Sequence, residues 1–370
     1  MPGFLTGGLA VQMRQELGFG NVALGLAITL FFAFTSIFSV LSGWLVERFG
    51  SHRSMRLAAV GSAASMLGVA VFARSWTLLV VCLVVGGFAN ALAQPATHLS
   101  LAREIPSTRQ GLSFGIKQAA IPTATLLAGL AVPTVALTVG WRWAFVGGAL
   151  LAGAIAFLVP AGTEERATSV EESRSGDVRT GPLVLLAVGV GLGATAATPL
   201  GAFIVESAVA TGIEVGRAGL LLALGSAVGI TIRVGLGYLA DFMPGGRLKL
   251  AAGMLGAGAI GFVLLATRLD YLFVVGTVVA FGAGWGWPGI FNFAVVKTNP
   301  GAPAAATGIT QTGASGGAAL GPLIFGFVLQ ATGYTTAWLV CGSFALLSAV
   351  VMLIGRYLIL GGRARTTEKG

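Results

Sequence analysis

Apolar runs of about 18–27 residues recur along this chain, each long enough to cross a ~30 Å hydrocarbon core as a helix. They fall at 21–45, 55–73, 77–100, 112–137 and 142–160, and then at 182–205, 216–240, 248–267, 270–296, 305–331 and 335–359. A chain with eleven such runs must use lipid as its solvent, because no single soluble core hides that much apolar surface. Composition agrees: 55% of the 370 residues are hydrophobic and 9% are charged, where soluble domains run near a quarter charged. The 57 glycines suit close helix approach in lipid.

The net charge of +9 raises the question of nucleic acid, but its distribution answers for a membrane. Fifteen Lys/Arg residues, from Arg48, Arg53 and Arg56 to Arg363, Arg365 and Lys369, fall in one set of alternate loops. Five (Arg14, Arg74, Arg142, Arg217 and Arg268) fall in the other. The positive-inside rule puts the richer set in the cytoplasm, with the C-terminus, in a multi-pass protein of the inner membrane. Cys82 and Cys341 lie inside apolar runs, and the only histidines are His52 and His98. That leaves no metal-ligand spacing and no cofactor motif. No phosphate-binding Gly-Lys-Ser/Thr loop and no catalytic dyad appears, so the reading is not an enzyme. The expected partners are lipid and a small solute, not nucleic acid, and the expected state is a monomer.

Residues 161–181 form the longest polar stretch, with Glu164, Glu165, Arg166, Glu171, Glu172, Arg174, Asp177 and Arg179. It reads as a cytoplasmic linker between a bundle over 1–160 and a second over 182–360, with a tail over 361–370. The two halves repeat. At an offset of 194, Gln12 meets Glu206, Gly25 meets Gly219, Gly43 meets Gly237 and Glu47 meets Asp241. At 193, Pro95 meets Pro288, Gly115 meets Gly308, Gln118 meets Gln311 and Gly140 meets Gly333. Six helices per half make the repeat parallel, since an even number returns the chain to the same side. The seventh helix begins near Pro182, so its counterpart would begin about a dozen residues before Met1. Only Pro2–Met13 of the first helix is present, and the expectation is an N-terminally shortened chain whose stub fills the outer half of its slot. No basic segment precedes the stub as a signal peptide would require.

The loop Gly43-Trp-Leu-Val-Glu47-Arg48-Phe-Gly50-Ser-His52-Arg53 resembles the signature between helices two and three of the major facilitator superfamily, with Glu47 in place of the usual Asp. A degraded copy, Gly237-Tyr-Leu-Ala-Asp241 with Arg247, stands where the repeat requires it. The resemblance implies the all-α major facilitator fold: two pseudo-symmetric six-helix bundles, here with a truncated first helix, rocking about a central cleft. It also resembles bacterial uptake-type permeases through Gly115-Ile-Lys-Gln-Ala-Ala-Ile-Pro122 on helix five. Helix five lacks the Gly-Pro element that similar drug–proton antiporters carry, while helix eleven has Gly321-Pro322.

In physical terms, Gly43 lets another helix cross closely, and Glu47 can bond a helix N-terminus as a latch. Charges inside spans are costly and usually face a cavity. Lys117, Gln118, Arg233 and Gln311 are therefore expected on one cleft, joined by Asn90, Gln94, Asn292 and Trp287. Snorkelling of Lys117, structural pairing of Arg233 and plain interhelical packing of the amides are the competing readings. Glu206, the carboxylate deepest in a span, is either a coupling-proton site or wetted at the mouth. Pro95 and Pro288 are expected to kink helices four and ten. The expected function is secondary active transport of a small polar or anionic organic solute. The alternatives are proton-coupled efflux of an apolar compound and a transporter-like sensor.

Overall fold

The structure, a computed structural model, describes residues 1–104, 106, 109–160, 180–299 and 303–367. Nearly all of these residues are helical. The first helix is two short pieces, α1 (Pro2–Gly8) and α2 (Ala10–Leu17). Five long helices complete the first half: α3 (Asn21–Phe49), α4 (Ser51–Phe72), α5 (Trp76–Glu104), α6 (Gln110–Ala131) and α7 (Trp141–Leu158). The second half holds α8 (Thr180–Thr211), α9 (Val215–Phe242), α10 (Arg247–Ala266), the pair α11 (Asp270–Val279) and α12 (Pro288–Thr298), then α13 (Pro303–Thr332) and α14 (Tyr334–Thr367). Eleven helical segments among the described residues are long and apolar enough to cross a membrane, as the sequence predicts. Of the expected linker, 161–179 lie outside the described residues, while Thr180 and Gly181 already belong to α8.

Glycines end several helices in the left-handed region, where a Cβ would be strained. Gly18 and Gly212 do so at φ 67 and 106, and Gly140 and Gly333 at φ 102 and 91. Each pair is one repeat apart, so the two halves turn their corners with the same device. Lipid-facing side chains are large and apolar, including Phe157 (89% exposed), Phe72, Leu150, Phe242 and Tyr357. The buried faces carry small residues that let backbones meet.

Two proline expectations divide. Pro95 stays inside an uninterrupted α5. Pro288 does more than kink helix ten: α11 passes into a π-helical turn at Ala280–Gly284, the chain breaks, and α12 begins at Pro288. A proline has no N–H, so the carbonyl four residues earlier loses its helical donor. That consequence reappears in the site.

The stub lies where the repeat places it. Every residue of Pro2–Gly8 is buried. A Cβ on Gly7 would stand 2.6 Å from the Gly201 carbonyl oxygen and 2.7 Å from the Ala202 Cα, so α1 crosses α8 almost backbone to backbone. Gly7 and Gly201 are themselves one repeat apart, and this crossing lies near the pseudo-twofold axis. The halves meet along two further seams. In one, α3 packs on α13, with the Gly25 Cα facing the Pro322 backbone and Thr29 Oγ1 donating to the Ala319 carbonyl at 2.7 Å. In the other, α6 packs on α9 through Gly129 against Gly219 and Ala223, with Thr125 and Ser226 sharing a hydrogen bond of 2.7 Å.

Candidate functional site

Both signature copies lie at one face of the molecule, called the signature face below. The second copy closes the α6–α9 seam there. Gly237 admits α6 so closely that a Cβ on it would sit 2.7 Å from the Gly111 carbonyl oxygen and 2.9 Å from the Gly115 Cα. Asp241, one turn further, accepts hydrogen bonds from the backbone N–H groups of Gly111 at 2.7 Å and Leu112 at 3.0 Å. These are orphan donors in the first turn of α6, and the carboxylate meets the positive end of that helix. Arg247 folds back to donate to the Ala240 carbonyl at 2.9 and 3.2 Å and to that of Met243, finishing the end of α9. Its guanidinium also lies 4.8 Å from the Phe293 ring centre.

The first copy does not do this, and the expectation for Gly43 is corrected. No atom stands within 4 Å of a Cβ built on Gly43, nor on Gly308, the repeat partner of Gly115. Ile37 and Trp44 on the same stretch of α3 are 67% and 51% exposed. The signature-face halves of α3 and α13 stand apart here, so no helix crosses at Gly43. Gly50 turns the chain at φ 82, and Arg48 packs 5.2 Å from the Trp44 ring centre. Arg53 is exposed. The side chain of Glu47 lies outside the described residues.

The polar residues expected at the cleft lie on α5, α6, α9, α12 and α13. Lys117 and Gln118 are partly buried about 12 Å along α6 from its signature end, at a rise of ~1.5 Å per residue. Gln311, at the matching depth of α13, is exposed, with its amide nitrogen 3.5 Å from Ser315 Oγ. Asn90 on α5 donates to Thr35 Oγ1 on α3 at 3.4 Å, which is the interhelical role of an amide. Gln94 and Asn292 are partly buried.

Arg233 and Trp287 are placed differently from the expectation. Arg233 is 1% exposed. Its Nε and Nη2 donate to the Trp285 carbonyl, the former at 3.1 Å, and its Nη1 donates to the Gln118 carbonyl. Trp287 is 1% exposed and donates its indole N–H to the Gly284 carbonyl at 3.0 Å, the carbonyl that Pro288 leaves without a donor. Both side chains are turned onto backbone in this conformation, and neither faces the cleft. Trp285 lies under Arg233, its ring centre 5.6 Å from the guanidinium, and against Phe4 of the stub at 5.8 Å. Phe281 packs on Trp285 at 5.6 Å, so Phe4, Phe281 and Trp285 form one buried aromatic cluster between the stub and the second half.

At the opposite face Glu206 is buried, not wetted. Its side chain is 5% exposed and lies 3.0 Å from Arg14 Nη2, so an ion pair joins the stub to α8 across the halves. Gln12, the repeat partner of Glu206, has both amide atoms buried without a hydrogen-bond partner. Nearby in the first half, Glu16 accepts from Trp141 Nε1 at 2.7 Å and from Arg142 Nη1. Those donors, Arg142 above all, hold the Glu16 carboxyl below its ordinary value.

Two repeated helix bundles joined along two seams, with signature copies at one face, have the organisation of a membrane transporter. The chain belongs to the Major Facilitator Superfamily, whose sequence profile matches residues 2–296. It is 27% identical over 354 residues to a chloramphenicol resistance protein of Streptomyces lividans, covering 90% of this chain and 86% of that one. It is 28% identical over 143 residues to a probable sulfoacetate transporter of Cupriavidus necator, covering 37% of this chain and 32% of that one. Among solved structures it resembles a D-xylose-proton symporter, with a TM-score of 0.70, 19% identity and coverage of 95% and 93%. It also resembles a human organic anion transporter, with a TM-score of 0.64, 17% identity and coverage of 89% and 83%.

Proposed function

We propose that this transporter moves a small polar or anionic organic solute across the cytoplasmic membrane by alternating access, with the signature face and the C-terminus in the cytoplasm. The observation that carries the reading is the charge balance of the spans. Among the described residues two cations, Lys117 and Arg233, lie deep, while the deep carboxylate, Glu206, is already matched by Arg14 near the opposite face. A net positive charge around the cleft, in low dielectric, favours anions even where Arg233 itself is turned onto backbone. Lys117, Gln118 and Gln311, at matched depth on α6 and α13, are the proposed ligands, with Gln94 and Asn292 along the wall. The names of two similar proteins, a sulfoacetate transporter and an organic anion transporter, support the same class. Glu206 is the proposed site of a coupling proton.

A second reading, proton-coupled efflux of an apolar compound, is favoured by one observation: Arg233 spends its donors on carbonyls, leaving Lys117 as the remaining deep cation. The similarity to a chloramphenicol resistance protein points the same way. A thermal-shift screen of the purified protein separates the two, since a ligand that binds the folded state raises its apparent stability. Small carboxylates and sulfonates should raise the midpoint, and Lys117→Gln should abolish the rise. A response confined to apolar compounds would reject the anion reading.

A further inference from the structure

We infer that Arg233 is a positioning residue for transport: it holds α9 of the second half against α6 of the first by donating to a backbone carbonyl that Pro122 leaves without a helical partner.

The local chemistry starts with Pro122. In an α-helix the carbonyl of residue 118 accepts the N–H of residue 122. Residue 122 is a proline inside α6, so the Gln118 carbonyl has no such donor. An orphan carbonyl inside a membrane protein must be matched by another group. Arg233 Nη1, from α9, is that group.

The rest of the guanidinium is spent in the same way. The break between the π-helical turn and α12 presents the Trp285 carbonyl, and Nε and Nη2 take it together. The fork geometry of arginine is what allows one side chain to reach two carbonyls on two helices at once; an ammonium group is a compact point charge on a flexible stem. Among the described ion pairs none involves Arg233. Among the described residues the cation is matched by carbonyl dipoles and by the face of the Trp285 ring.

The placement makes this more than packing. Residues Gly111, Gly115 and Gly129 of α6 all face α9, and Arg233 lies in the same seam: a Cβ on Gly115 would stand 2.5 Å from its carbonyl oxygen. Gln118 belongs to the first half, Arg233 and Trp285 to the second. In a rocking cycle this seam must part at the signature face, and the Arg233–Gln118 bond must break when it does. Asp241 holds the seam at the end of α6, and Arg233 holds it about two turns deeper. The bond therefore weights the balance between the closed and parted seam, without Arg233 touching the solute.

The test replaces Cys82 and Cys341, places a cysteine at Ala119, which is 6% exposed beside Gln118, and follows its labelling by a membrane-impermeant maleimide from the signature face. Arg233→Gln is expected to raise the labelling rate roughly tenfold, and Arg233→Lys to raise it less. Pro122→Ala returns a helical N–H to the Gln118 carbonyl. In that background Arg233→Gln should add less than about twofold, because the bond it removes is redundant. An equal effect of Arg233→Gln with and without Pro122→Ala would overturn the inference. So would unchanged labelling together with loss of anion-induced thermal stabilisation, which would make Arg233 a ligand. If Arg233→Gln fails to reach the membrane, Arg233→Lys with and without Pro122→Ala is read by the same criteria.

Discussion

Replacing Asp241 with Ala should part the α6–α9 seam at the signature face. The carboxylate accepts two backbone N–H groups, at 2.7 and 3.0 Å, in the first turn of α6. Removing a carboxylate cap from a helix N-terminus costs about 0.5–2 kcal/mol in soluble proteins. Here the cap joins two halves, so the whole cost falls on the closed seam, and the freed N–H groups gain water only when the seam opens. Asp241 is partly exposed, which argues against the larger values for buried charged hydrogen bonds. Taking about 1–2 kcal/mol, the ratio of parted to closed seam should rise by roughly 5–30-fold, at about 1.4 kcal/mol per decade. Spin labels at Arg109 and Phe242, both exposed near the two helix ends, report the seam by pulsed distance measurement. Asp241→Asn keeps one acceptor oxygen and loses the charge, so it should fall between wild type and Asp241→Ala. Superimposable distance distributions for all three proteins would refute the latch, and Asp241 would then mark topology only.

Glu16 gives a pH dependence at the opposite face. Its carboxyl is held below the ordinary 4.5 by Arg142 and Trp141, so it contributes stability above that value that is lost as the pH falls through and below it. Glu16→Gln should flatten the acid limb of the thermal-unfolding midpoint, and an unchanged limb would remove Glu16 from the account. Arg14→Ala leaves the Glu206 carboxylate buried without its partner and should cost on the order of 2 kcal/mol, less than for a fully buried pair because Arg14 keeps 31% exposure. The double variant Arg14→Ala/Glu206→Gln should recover part of that loss in thermal unfolding; no recovery would mean that the pair is not the source. Gly43→Leu should leave the present arrangement intact, since no atom lies within 4 Å of its Cβ position, yet block closure of α3 on α13. Normal folding with lost transport is the expected pairing, and full transport would show that this seam never closes there.

The eleven long helices were legible because a bilayer leaves a chain few choices: lipid demands satisfied backbone, and apolar length announces each span. The repeat was legible through pairs such as Gly140 and Gly333, whose shared turn geometry lies beneath the sequence match. The fate of Arg233 was not. From the sequence it is a deep cation in need of acceptors, and carboxylate, solute and carbonyl are equal candidates. Part of the signal was present in Pro122, which frees the Gln118 carbonyl, and part in Pro288, which ends the helix beside Trp285. Reading it required knowing that α6, α9 and the break before α12 meet at one point, which no local pattern states. Glu206 was legible as a deep carboxylate, but its partner was not. Arg14 counts as a loop charge if the first helix ends at Met13, whereas α2 runs on to Leu17 and carries Arg14 to Glu206.

The two signature copies hold different states in one structure. At Gly237 the seam is shut, with glycine backbones in contact, Asp241 on the α6 N-terminus and Arg233 two turns deeper. At Gly43 the equivalent seam is parted, although α3 and α13 remain joined toward the other face by Thr29 on Ala319 and by Gly25 and Gly326 against their partners' backbones. The repeat itself explains part of the difference. Gly111 on the shut seam corresponds in the repeat to Ala304, so the glycine pair is not repeated there. Arg233 corresponds to Ser39, which is exposed and donates to the Ser36 carbonyl of its own helix. The first copy therefore has the motif of the latch without the arginine strut behind it. From the inferred Arg233 strut, the α3–α13 flank is expected to part more readily at the signature face than the α6–α9 flank.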